Sequence, residues 1–264
     1  MRGVKPDCPS TPPGYTRRAV RIGLISDIHG NLPALEAVLQ RLEEEQVDRI
    51  ICLGDVAVGP FASETASRVR ALGCPTIRGN WDDWMAGGDA PCGGGEVCRK
   101  LLEMGSFWAA QLDADDLGFL EGLEKTLELE LKDGRNGILF HGSPRSFNEP
   151  ILGATPSEEL DHILGELDAP IMIAGHTHVQ MVRRLPFTLL VNPGSVGLPF
   201  REWPVSAARV CPWAEFGVLD YDSEGRLEVQ LRRTTYDVDG FIRYTLESGV
   251  PHAEWWTNSW SAAE

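Results

Sequence analysis

Short apolar runs punctuate the chain at Val20–Ser26, Arg49–Leu53, Thr76–Arg78, Ile138–Phe140 and Ile171–Ala174, and each stops at a glycine or at a polar residue. Runs of this length bounded by turn residues predict strands. After the first of them, Asn31 is placed to cap a helix whose Leu32, Leu35, Val38, Leu39 and Leu42 form one apolar stripe. Ser63–Leu72 predicts a second helix, followed by a third strand within Cys74–Arg78. The opening part therefore reads as successive β-α-β units with right-handed crossovers and a parallel sheet. Past the glycine-rich stretch Asp89–Gly95, residues Val97, Leu101, Leu102, Met104 and Trp108 predict another helix, and Ala114–Leu123 a further one. Residues 83–124 are expected to form a lid beside the strand ends.

Thr155-Pro156-Ser157-Glu158 reads as a capping box with proline at the first helical position, ahead of Leu160, Ile163, Leu164 and Leu167. Beyond His178 the pattern shortens to alternating runs at Val179–Arg184, Phe187–Val191, Glu215–Tyr221 and Arg226–Arg233, with a turn at Asp222-Ser223-Glu224-Gly225. These predict antiparallel strands and a second sheet packed on the first. The expected fold class is α/β: a two-sheet β-sandwich flanked by helices, in four α/β/β/α layers. There is no internal repeat. Residues 1–19 hold four prolines and two glycines and read as a flexible extension, leaving 20–264 as one domain. Trp255, Trp256 and Trp260 mark an aromatic tail, 249–264, expected to pack on the sandwich or on a partner subunit in a homo-oligomer.

Charge narrows the partners. With 39 acidic against 24 basic residues and a net charge of −15, the chain lacks the basic surface that long DNA or RNA requires. A small anionic substrate held by metals and a few arginines remains compatible. No stretch approaches the roughly 20 apolar residues of a membrane span, so a soluble, cytoplasmic protein is expected. The six cysteines, Cys8, Cys52, Cys74, Cys92, Cys98 and Cys211, form no C-x-x-C pair and are expected as buried or free thiols.

The polar residues at the strand ends carry the chemistry: Asp27 and His29, Asp55, Asn80, His141, then His176 and His178. In open α/β sheets ligands collect at the carboxyl ends of strands, so these positions converge on one crevice. Oxygen and imidazole donors without thiolate favour Mn²⁺, Fe or Zn²⁺. Seven side chains exceed what one ion can use while still binding water and substrate. Two ions about 3.5–4 Å apart and sharing a carboxylate fit better, with Asp55 the candidate bridge. Singly, Asp27 also suits a helix cap and Asn80 a left-handed turn. No packing requirement, however, calls for ligand types at five successive strand ends.

In this order, Asp27-x-His29, Gly54-Asp55, Gly79-Asn80, His141 and Gly175-His176-x-His178, the chain resembles the calcineurin-like metallophosphoesterase superfamily. The run Asn192-Pro193-Gly194-Ser195-Val196-Gly197 is similar to that of its small bacterial phosphodiesterase branch. The resemblance implies one ion on Asp27, His29, Asp55 and His178 and a second on Asp55, Asn80, His141 and His176. Asp55, Asn80, His141 and His178 serve as the candidate catalytic residues. It implies hydrolysis of a small nucleotide-like or cyclic phosphodiester by activated water, with a phosphomonoesterase or a non-catalytic metal-binding scaffold as alternatives. One position departs from the family pattern: the histidine that many members carry after Gly-Asn, taken to protonate the leaving group, is Trp81 here. Trp81 is left as an aromatic wall for substrate or as packing under its loop. Arg78, Arg145 and Arg201 are left as phosphate ligands or solvated surface groups. Gly93-Gly94-Gly95 lacks the Lys-Ser/Thr of a nucleotide-triphosphate loop.

Overall fold

A computed structural model describes residues 19–131, 133–203 and 208–261, so that the predicted extension before Ala19, and Cys8 within it, lie outside the described residues. Strands β1 (Val20–Ile25) and β2 (Arg49–Cys52) pair in parallel, from Ile22 with Arg49 to Ile25 with Cys52, across α1 (Leu32–Glu44). Asn31 caps α1 as predicted, its side chain accepting the Ala34 N–H at 3.2 Å, and Leu35, Val38, Leu39 and Leu42 are buried. Helix α2 (Ala62–Leu72) ends at Gly73, whose φ of 59° is the left-handed conformation that closes helices.

The third strand expected at Thr76–Arg78 does not extend: Thr76 makes an isolated bridge with Cys52, and Ile77 one with Glu124. The chain turns directly into α3 (Asn80–Met85), because the Asp82 carboxylate accepts the Gly79 N–H at 2.9 Å and nucleates a helical turn. Helices α4 (Gly95–Ala109) and α5 (Ala114–Glu121) follow, within the region expected as a lid; Met104, Trp108 and Leu120 in them are buried.

An additional strand, β3 (Thr126–Glu130), pairs antiparallel with β4 (Asn136–Phe140). The remaining elements are α6 (Ser157–Leu164), β5 (Ile171–Ile173), β6 (Met181–Arg184), β7 (Leu189–Asn192), β8 (Ala214–Tyr221), β9 (Leu227–Thr234), α7 (Val238–Glu247) and α8 (Ala253–Ser261).

Two sheets result, ordered β2-β1-β8-β9 and β3-β4-β5-β7-β6. The late antiparallel strands thus do not make a sheet of their own: β8 and β9 complete the first sheet, while β6 and β7 join β4 and β5. The reason lies in β8, where Leu219 and Tyr221 enter one apolar cluster and Phe216 and Val218 another. A strand apolar on both faces needs cover on both, which a place beside β1 supplies.

Ile22, Leu24, Ile51, Leu139, Ile171, Ile173, Val191 and Leu219 fill the space between the sheets. Residues of α1, α2, α4, α7 and α8 cover the outer face of the first sheet, and α6 covers the second through Leu160, Ile163, Met172 and Leu190. The four-layer arrangement is the one expected. Among the described residues no helix is long and apolar enough to cross a membrane. The aromatic tail forms α8, whose Trp256 and Trp260 are buried beside Phe241.

Two local expectations are corrected. The capping box at Thr155 does not form, because the Thr155 hydroxyl accepts the Leu152 N–H at 2.9 Å and Pro156 itself precedes the first helical residue. Cys92 and Cys98 form a disulfide rather than free thiols, since the three glycines between them allow the chain to return until the two Cα atoms lie 5.7 Å apart. Cys52 and Cys211 are buried thiols, and Cys74 is a partly buried one. Reduction of Cys92–Cys98 by a dithiol is expected to lower stability by about 2 kcal/mol, the loop-closure value for so short a ring. A lower urea midpoint, reproduced by Cys92→Ser, is the measurement.

Candidate metal centre

Six of the seven ligand candidates stand on the loops that follow strand ends, Asn80 is the first residue of α3, and the sandwich brings them together. Six are buried, and His176 alone among them is partly exposed. Asp27, His29, Asp55, His176 and His178 have φ between 51° and 68°, the left-handed region that non-glycine residues seldom occupy. Each strand ends in a sharp reversal that turns the next side chain into the crevice, and the surrounding loops hold the strain in place. The Ser195 hydroxyl donates to the Asp27 carbonyl at 2.6 Å, and the Gly197 N–H donates to the same oxygen at 3.0 Å. Asn192 donates to the Gly175 carbonyl at 2.6 Å, and so couples the His176 loop to the end of β7.

Asp27, His29, Asp55 and His178 each offer a ligand atom within 4.8 Å of the others. The Nε2 atoms of His29 and His178 lie 3.0 Å apart, and Asp27 Oδ1 is 3.3 Å from His178 Nε2. On the other side, His141 Nε2 is 3.0 Å from Asn80 Oδ1 and 3.5 Å from Asp55 Oδ2, and the His176 ring lies 5.3 Å from that of His141. Asp55 Oδ2 is also 3.6 Å from His29 Nε2, so this carboxylate faces both groups.

Hydrogen bonds fix two of the rings. His141 Nδ1 donates to the Leu53 carbonyl at 2.7 Å and His178 Nδ1 to the Leu198 carbonyl at 2.8 Å. A carbonyl can only accept, so in the neutral rings Nε2 presents its lone pair to the crevice, the usual preparation of a metal-binding imidazole. The two buried carboxylates and two imidazoles of Asp27, His29, Asp55 and His178, gathered around one point with His141 and Asn80 beside Asp55, fit a divalent cation.

Electrostatics supports the same reading. Burial pushes the Asp27 carboxyl up, but the imidazoles of His178, His141 and His29 outweigh it and hold Asp27 well below the usual range. Asp55 is likewise lowered, burial being overcome by His141 and His29. Burial together with His178 lowers His29 to about 4, and burial together with His141 lowers His176 to about 4. Burial opposes the charge on His141, yet Asp55 and Asp27 raise it to about 10.

The sequence matches the calcineurin-like phosphoesterase superfamily domain over residues 20–211. The chain belongs to that superfamily. It is similar to a metallophosphoesterase from Sphaerobacter thermophilus at 27% identity and a TM-score of 0.68, with 89% of this chain and 96% of that one covered. A hypothetical protein from Pyrococcus horikoshii shares the fold at 22% identity and a TM-score of 0.73, over 88% of this chain and 94% of its own. An uncharacterized protein from Methanocaldococcus jannaschii is 27% identical over 251 residues, spanning 89% of this chain and 94% of that protein. As a calcineurin-like phosphoesterase, the chain is a metal-dependent phosphoester hydrolase.

Other candidates resolve differently. Arg78 pairs with Asp83 at 3.1 Å. Arg145 binds Glu149 through Nε at 2.8 Å and the His162 carbonyl at 3.1 Å, so both guanidinium groups are engaged within the protein. Arg201 is exposed, and its backbone N–H donates to the Arg209 carbonyl. Trp81 and Trp84 close over Gly105 of α4, their rings edge to face at 5.6 Å, so of the two readings Trp81 takes the packing one.

Sequence reasoning missed Asp82. Its carboxylate accepts the N–H groups of Asp55 at 2.7 Å, Val56 at 2.9 Å and Gly79 at 2.9 Å, tying two ligand loops together. Burial and the Asp55 charge raise it to about 6. An acid three residues into a helix start was the available signal. Phe200 and Trp203, beside His178 and His176, had none.

The metal-free protein should be most stable near neutral pH. Below the ordinary histidine value of 6.5 the unfolded chain takes up protons that folded His29 and His176 refuse until about 4, so stability falls across that window. His141 acts in the opposite sense: its contribution is complete below 6.5 and is lost as the pH rises toward 10. Urea midpoints of the chelator-treated protein should therefore decline on both sides of neutrality, and a flat profile from pH 5 to 9 would contradict these shifts.

Proposed function

We propose that the protein hydrolyses a small phosphodiester at a pair of divalent ions, Mn²⁺ foremost, with Fe or Zn²⁺ as substitutes. Asp27, His29, Asp55 and His178 would hold one ion, and Asp55, Asn80, His141 and His176 the other. The observation that carries the reading is the position of Asp55 Oδ2, 3.6 Å from His29 Nε2 and 3.5 Å from His141 Nε2. A carboxylate between two sets of imidazoles is the arrangement a bridged pair requires. Bound ions of this kind lower the pKa of water and neutralise phosphoryl charge, as in two-metal hydrolases.

The chain's own residues supply the rest. With an ion bound, His141 and His178 would present Nε2 to it, because the Leu53 and Leu198 carbonyls hold the opposite nitrogens. Asn80 offers its amide oxygen to the crevice, while its Nδ2 faces the Pro91 carbonyl at 3.4 Å. Trp81 has no proton to give a leaving alkoxide, and its ring is committed to α4. General acid assistance is worth about 10² to 10⁴-fold, so esters with poor leaving groups should react slowly.

Turnover of bis-p-nitrophenyl phosphate after Mn²⁺ loading tests the function, with p-nitrophenyl phosphate as the monoester comparison. Preference for the diester is expected, and a preference for the monoester would make the protein a phosphomonoesterase. Absence of turnover with every divalent metal, despite bound ions, would make it a scaffold. Across a series of aryl methyl phosphates, the rate should depend steeply on leaving-group pKa. A flat series would mean that another residue donates the proton.

A further inference from the structure

The centre opens to solvent on one side, and an aromatic residue stands there. Asp27, His29, Asp55, Asn80, His141 and His178 are all buried, whereas His176 is partly exposed. Residues 198–203 approach this side as one arm of a narrow antiparallel ribbon. Phe200 bridges to Val210, its N–H donates to the His178 carbonyl at 3.0 Å, and the Arg201 N–H donates to the Arg209 carbonyl at 3.0 Å. The Val210 N–H donates to the Ser259 carbonyl at 2.9 Å, which roots the ribbon on α8.

This arm sets two rings against two ligand imidazoles. Phe200 stacks on His178 with centroids 4.3 Å apart and planes 23° from parallel, so that face is taken. Trp203 lies 5.5 Å from His176 at 54° and is itself partly exposed. An indole thus stands beside the one ligand candidate that reaches solvent.

We infer that Trp203 is a specificity-determining residue: it stacks a nucleobase on the group that the phosphorus retains, not the leaving group, and so favours nucleotide esters over those that retain an alkyl group. The inference rests on the phosphodiesterase reading above. Three features support it. Indole is a large platform held at low entropic cost, and stacking accepts any base because each presents a π face. The net charge of −15 repels long polyanions, which leaves a mononucleotide-sized ester as the partner. Trp81, the other tryptophan next to a ligand, sets its ring edge against Gly105 of α4 and against Trp84, whereas the Trp203 ring faces a ligand imidazole.

The test compares two esters with one leaving group, thymidine 5′-(p-nitrophenyl phosphate) and ethyl p-nitrophenyl phosphate, in wild type, Trp203→Ala and Trp203→Phe at full Mn²⁺ occupancy. Trp203→Ala should raise KM for the thymidine ester about tenfold, the weight of one base-aromatic stack. Its kcat, its metal content and both constants for the ethyl ester should stay within about twofold, and Trp203→Phe should recover most of the loss. Titration calorimetry with adenosine 5′-monophosphate should show the same weakening in Trp203→Ala, with inorganic phosphate unaffected. Equal changes for both esters, or none for the thymidine ester, would overturn the inference. If wild type hydrolyses neither ester with any metal, the phosphodiesterase reading fails, and calorimetry still decides the stacking: nucleotide binding indifferent to Trp203, or absent, defeats it.

Discussion

Asp55→Asn should lower kcat/KM on bis-p-nitrophenyl phosphate by about 10³-fold, a loss typical of removing one key electrostatic group from a metal or oxyanion site. The substitution keeps the shape of the side chain and removes its charge. Asp55 is 1% exposed, and its Oδ1 accepts the Trp81 N–H at 2.9 Å, a contact an amide oxygen can retain. What disappears is the carboxylate charge that faces His29 and His141 together. Elemental analysis should show reduced occupancy of both proposed ions, whereas His141→Ala should mainly empty one. Full metal content in Asp55→Asn would refute a bridging role, and unimpaired turnover would remove Asp55 from the chemistry altogether.

The second large effect is structural. Gly59→Ala should cost at least about 3 kcal/mol, beyond the usual range for overpacking, because backbone rather than a flexible side chain is in the way. A Cβ on Gly59 would lie 1.8 Å from the His29 carbonyl oxygen, and one on Gly197 would lie 1.9 Å from that of Ile28. These glycines press on the loop between β1 and α1 from two sides. The Gly30 N–H donates to Val56 and the Phe61 N–H donates to Gly30, so this loop cannot retreat without breaking its own hydrogen bonds. Gly93→Ala, which meets nothing within 4 Å, is the control and should change stability by no more than about 0.5 kcal/mol. Urea unfolding of the three proteins decides the matter. A Gly59→Ala variant as stable as wild type would mean that the two loops separate easily.

Much of this was legible in the sequence for a local reason. The unit β1-α1-β2 announces itself through Asn31 and the stripe from Leu35 to Leu42, and the ligand residues other than Asn80 follow their strands within one to five positions. The loop conformations were less visible, since a left-handed φ at Asp27 or His178 leaves no trace in residue type. Sheet membership was hidden for a different reason: β8 pairs with β1 across almost 200 residues, and nothing near Phe216 names that partner. The alternation in Thr126–Glu130 did signal β3, but it is a single short run with charged residues outward. At Thr76 a strand-like sequence lost to the turn that Asp82 imposes, and at Thr155 a capping signature was diverted to Leu152. The bond between Cys92 and Cys98 needed knowledge of how the three glycines fold, which spacing alone does not give.

The split of ligand loops between the two sheets also has a bearing on biosynthesis. Asp27, His29, Asp55 and Asn80 leave the ribosome long before His176 and His178, and the Asp27 peptide is anchored only when Ser195 and Gly197 arrive. A copy of the chain that stops short of these residues therefore has no finished cage for an ion.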